Sequence, residues 1–170
     1  METKNLKLYS LGYSNTKTYL AALLFVFGNI VLPQAFHLLP QGGITWLPIY
    51  FFTLVGAYKY GWRVGLLTAI ASPLVNSWLF GMPLPIALPA ILLKSTLLAI
   101  AAGLAAHYYR RISLPILFTV VMAYQLVGTL GEWALTGSLY NAFQDFRIGL
   151  PGMALQTIGG YLLIKYLIHG

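Results

Sequence analysis

Long apolar stretches, separated by Gly, Pro and basic clusters, divide the chain into six segments at about 18–38, 46–58, 64–80, 86–106, 113–131 and 150–168. All but the second approach the roughly 20 residues that a helix needs to cross a bilayer. The pattern therefore predicts an all-α integral membrane protein, a six-helix transmembrane bundle. The second segment is short and holds Pro48, and the third holds Pro73. A bilayer tolerates such interruptions only where neighbouring helices or a polar cavity satisfy the freed backbone groups, so both segments are expected to face protein.

Basic residues give the orientation. Lys4, Lys7, Lys17, Lys59, Arg63, Arg110, Arg111 and Lys165 fall on one side of the predicted bundle, against Arg147 on the other. By the positive-inside rule both termini are cytoplasmic, and the loops at about 39–45, 81–85 and 132–149 face outward. The last of these mixes aromatic and hydrogen-bonding side chains, and a long loop of that composition is usually functional.

Composition agrees with this reading and narrows it. The 170 residues are 59% hydrophobic and only 8% charged, where a soluble domain has about 25% charged residues. Six spans leave too little chain for a folded domain outside the bilayer, so residues 1–170 read as a single transmembrane domain. The net charge of +7 is accounted for by sidedness and does not point to nucleic acid. With no Cys there are no thiolate metal sites and no cysteine catalysis. His-Glu-x-x-His, a phosphate loop and Gly-x-Ser-x-Gly are all missing, and His37, His107 and His169 lie at segment ends on alternating sides. The expectation is neither an enzyme nor a metal protein, with no cofactor.

In so apolar a chain, Lys94 is conspicuous. Nine residues beyond Pro85 at ~1.5 Å each, its Cα lies about 13 Å into a hydrocarbon layer of about 30 Å. A lysine there costs about 2.5–3.5 kcal/mol, which an anion, a water-filled cavity or carbonyl groups must offset. A ligand-facing lysine and a structural pair with Glu132, at the outer end of the fifth segment, are the two readings. Asn29, Gln34, Asn76, Gln125 and Gln156 also occupy outer halves of segments, where each alone is most often an interhelical hydrogen-bond partner. With Lys94 they could line a pocket opening outward, with Asn76 and Gln156 the preferred members. Trp46 and Trp78 fit an interfacial aromatic belt, whereas Trp133 and Tyr140, flanked by Glu132 and Asn141, are suited to stack on a ligand. Gly61, Gly65 and Ala69, and Ala99 with Gly103, form small-xxx-small steps, expected to pack within the monomer.

The run Leu47-Pro-Ile-Tyr-Phe-Phe-Thr-Leu-Val-Gly-Ala-Tyr-Lys-Tyr-Gly-Trp-Arg-Val-Gly-Leu-Leu-Thr-Ala69, with Ser72-Pro-Leu-Val-Asn76 and Leu79-Phe-Gly-Met-Pro83, resembles the substrate-binding S components of energy-coupling factor (ECF) vitamin transporters. The likeness extends through length, span number and sidedness. It implies high-affinity binding of a vitamin or related micronutrient from outside, in a bacterial or archaeal cytoplasmic membrane. It also implies delivery of the cargo together with a membrane coupling (T) subunit and two cytoplasmic ATP-binding subunits. Carried onto this chain, the pocket is the neighbourhood of Lys94, Gln125, Glu132 and Gln156, and Gln41, Gly42 and Gly43 form a mobile lid. The family's Ala-x-x-x-Ala docking step is incomplete, with Ala21 and Gly28 the nearest equivalents. A deep unpaired lysine would favour a carboxylated vitamin such as pantothenate, a preference that disappears if Lys94 pairs with Glu132. The alternative reading is a small six-span membrane scaffold without transport activity.

Overall fold

A computed structural model describes residue 8 and residues 10–169, and it is all-helical over that range apart from turns. Glu2, Lys4 and Lys7 lie outside the described residues, as does the side chain of His169.

Helix α1, Thr16–Phe36, starts at Asn15, whose side chain accepts a hydrogen bond from the Lys17 amide at 3.0 Å. It is followed by the short α2, Gly42–Trp46. A 3-10 turn at Pro48–Tyr50 leads into α3, Phe51–Tyr60. Gly61, at φ 103°, makes the sharp passage into α4, Trp62–Phe80, a conformation that a side chain would strain. Helix α5 spans Leu88–Tyr109 and α6 spans Leu114–Thr136, the latter capped by Ser113. Two single turns, α7 (Leu139–Ala142) and α8 (Gln144–Arg147), lead to α9, Leu150–Ala154. One π turn at Leu155–Gly159 then joins α9 to α10, Gly160–His169.

All six predicted apolar segments are helical. Helices α1, α5 and α6 are long and apolar enough to cross a membrane, which suggests a membrane protein. The distribution of side chains agrees: Leu20, Leu23, Leu24 and Phe27 of α1 and Phe118, Leu126, Val127 and Leu130 of α6 are exposed, while polar residues are gathered inside. A surface of that kind is stable against an apolar surrounding and a liability in water.

Short α3 is the centre of the packing. It is in contact with α1, α4, α5 and α10, and its residues Thr53–Lys59 are all buried. The expectation that the Pro48 segment faces protein holds throughout α3. For the Pro73 segment it holds on one side only, because α4 buries Ser72, Pro73 and Asn76 but exposes Ile70, Leu74 and Trp78. Small residues make the close approaches. A Cβ on Gly65 would lie 2.4 Å from that of Ala57, and one on Gly103 would lie 2.5 Å from that of Trp62, so these steps pack within the chain.

Among the described residues, Arg63, Arg110 and Arg111 lie toward one end. Leu11 donates its amide to the Tyr60 carbonyl at 3.1 Å, Tyr58 donates its hydroxyl to the Arg111 carbonyl at 2.6 Å, and Arg63 lies over the rings of Tyr13 and Trp62. A cavity of about 710 Å³ there is lined by Arg63, His107 and Arg110. Lys94, Glu132 and the α7–α8 turns are at the other end.

Candidate functional site

Lys94 lies on α5 with 3% of its surface exposed. Its stem passes over Gly128 of α6, where a Cβ would stand 2.6 Å from the lysine Cγ. Only a residue without a side chain leaves that passage open. The ammonium then donates to Glu132 Oε2 at 2.5 Å and to Asp145 Oδ2 at 2.8 Å. Glu132 comes from the last turns of α6, and Asp145, also buried, from α8. One ammonium thus ties α5, α6 and the α7–α8 turns together. Charge-assisted bonds of this geometry offset the penalty of burying the lysine.

This corrects one expectation. Lys94 does not present a free ammonium, so the reason for preferring a carboxylated vitamin such as pantothenate is gone. Asp145 was not singled out from the sequence. The signal that could have found it is arithmetic: the chain has three acidic residues, one of them Glu2, and a buried lysine in such a chain draws on the remaining two.

Next to this triad lies a second polar group. Tyr124 of α6 donates its hydroxyl to Gln156 Oε1 at 2.7 Å and accepts from Gln125 Nε2 at 2.9 Å. Its ring is 5.7 Å from that of Tyr50. Gln156 sits in the π turn, an irregularity frequent at functional sites. Four buried polar atoms in this region of α5, α6 and the π turn have no partner among the described residues: Ser95 Oγ, Gln125 Oε1, Thr129 Oγ1 and Gln156 Nε2. A buried polar atom left unpaired costs about 1–3 kcal/mol, so four together leave bonding capacity that water or a ligand can take up. Tyr50, Ser95, Tyr124 and Thr129 were not predicted as site residues. Tyr124 and Thr129 are hidden in an apolar run where nothing in the periodicity separates them from core positions.

Other predicted residues lie elsewhere. Asn76 is not with Lys94: it donates to the backbone carbonyls of Asn29 at 2.8 Å and Ser72 at 2.9 Å. Asn29 in turn donates to Thr53 and Ser72 hydroxyls at 3.1 and 3.2 Å, and accepts from the Phe52 amide at 3.0 Å, capping α3. Trp133 and Tyr140 are exposed, and Tyr140 is held by Arg147, which donates to its hydroxyl at 2.7 Å and lies 3.8 Å over its ring. Gln41 is an exposed left-handed residue at φ 54°, but Gly42 and Gly43 form the first turn of α2 rather than an open loop. A Cβ on Gly42 would lie 1.8 Å from the Phe36 carbonyl oxygen. Gly28 packs against the Phe52 ring of its own chain, where a Cβ would stand 2.7 Å away, and Ala21 is half-buried against the core. The open face of α1 is instead that of Leu20, Leu23, Leu24 and Phe27.

No protein family, curated protein or solved structure matches the chain.

Proposed function

We propose that the protein binds a small micronutrient within the bilayer as the S component of an ECF-type transporter. In this reading it is a six-span bundle with both termini cytoplasmic, placed by its basic end under the positive-inside rule. It takes its ligand at the opposite, outer end and passes it inward with a membrane coupling subunit and two cytoplasmic ATP-binding subunits. The observation that carries the proposal is the pairing of Lys94 with Glu132 and Asp145 at that end, with the Tyr124, Gln125 and Gln156 cluster about two turns further along α6 and four buried polar atoms unpaired in this region. Ionisable groups inside a membrane domain by default mark a ligand or ion path. The α7–α8 turns, tied to the bundle through Asp145, are placed to act as the cover, alongside α2.

A membrane scaffold is the second reading, favoured by the complete pairing of Lys94 with its two carboxylates. Native mass spectrometry of the detergent-purified full chain separates the two. A small molecule retained at one per chain is expected for the binding protein, and a folded protein carrying lipid alone supports the scaffold.

A further inference from the structure

We propose that the outer site takes an organic cation, a quaternary or protonated nitrogen with a hydrogen-bond acceptor elsewhere in the molecule, which rests on the reading that a small molecule binds there. Two carboxylates meet one ammonium, so the triad carries a formal charge of −1 in an enclosed place. Lys94 engages one oxygen of each carboxylate, and among the described residues no hydrogen-bond donor reaches the other two, Glu132 Oε1 and Asp145 Oδ1. Arg147, the nearest other cation in sequence, is turned to Tyr140, donating to its hydroxyl at 2.7 Å and its carbonyl at 3.3 Å. The remaining described Lys and Arg side chains belong to the opposite end or to α10.

The unpaired atoms set hydrogen-bonding requirements beside the charge. Gln125 Oε1 needs a donor, and Ser95 Oγ and Thr129 Oγ1 can accept or donate; their residues are each at most 5% exposed. Thr129 is one turn from Gln125 and three residues from Glu132 on the same face of α6, so acceptors continue along the helix from the triad inward. Tyr50 and Tyr124 add two buried aromatic rings 5.7 Å apart, and aromatic faces favour a desolvated cation over an anion. Gln156 Nε2 can only donate, and it sets a further requirement on the ligand, an acceptor. A carboxylate brought here would meet two like charges with the one ammonium already shared between them.

Two measurements on the full chain in detergent test this. Native mass spectrometry reads the charge type of any retained molecule, and thermal shift compares thiamine and choline as cations, pantothenate and biotin as anions, and riboflavin as a neutral probe. The expected result is a retained or stabilising compound that is cationic at pH 7, weakened about tenfold or more by Asp145→Asn. The double variant Lys94→Met/Glu132→Gln keeps the formal charge of −1 and is expected to retain the cation, whereas an anion held by Lys94 would be lost. A retained or stabilising anion or neutral compound, or a cation indifferent to Asp145→Asn, overturns the inference and leaves the binding function standing. A folded protein that retains no small molecule and is stabilised by none overturns both.

Discussion

Asn29 uses both hydrogens and the oxygen of its amide, joining α1 to Thr53 and the Phe52 amide of α3 and to Ser72 of α4, while Gln125 and Gln156 on the other side of the bundle each leave one amide atom bare. The first cluster is neutral and nearly saturated, with Asn76 Oδ1 its one loose atom. The second is charged, incomplete and capped by single helical turns. Both are buried to a similar depth, so burial alone does not distinguish a structural polar cluster from a site. What distinguishes them is whether the bonding capacity of each side chain is used up. A saturated cluster fixes helices against each other, and an unsaturated one keeps bonding capacity that a bound molecule could use.

Removing Lys94 should show the difference most strongly. Lys94→Met leaves the buried carboxylate of Asp145 and the half-buried one of Glu132 without their cation and is expected to cost about 3 kcal/mol, measured by denaturant or thermal unfolding in detergent. A loss below about 1 kcal/mol would mean that the carboxylates are well solvated. The neutral cluster should respond less. Asn29→Leu strands the Phe52 amide and two hydroxyls, for an expected loss of about 2–3 kcal/mol in the same assay, with ligand affinity unchanged in the fraction that folds. Tyr124→Phe removes two hydrogen bonds inside the incomplete cluster, and about 1 kcal/mol is expected, near the usual worth of such bonds between membrane helices. Smallest of all is Thr129→Val. Because the hydroxyl has no partner, its replacement by a methyl should be neutral or stabilising by up to about 1 kcal/mol while ligand affinity falls. Destabilisation with unchanged affinity would show that the cluster is closed after all, and the contrast with Asn29 would vanish.

The six helical segments were legible because apolar runs bounded by Gly and Pro leave few alternatives. Lys94, Glu132, Gln125 and Gln156 were legible too, since an isolated ionisable or amide side chain in such a run is expensive wherever it points. The small-residue steps at Gly65 and Gly103 were read correctly as internal packing. Asp145 was not legible: it lies after Gly137 and Ser138, where the chain turns twice in short helices, and the direction of a side chain after such turns is not encoded in any period. Asn76 was assigned to the wrong neighbours for a related reason. Depth along a helix can be counted from sequence, but the face it presents depends on which helix packs beside it, and α4 turns Asn76 toward α1.

The sequence by itself determined the apolar helices, the gathering of basic residues at one end and the need for Lys94 to find compensation. Hydropathy and the cost of a buried charge act locally and can be counted residue by residue. Only the tertiary structure decided what that compensation is, two carboxylates on two different elements, and which amides are satisfied and which are not. Those facts depend on the packing of helices distant in sequence, where a rotation of one helix by a single residue exchanges one partner for another.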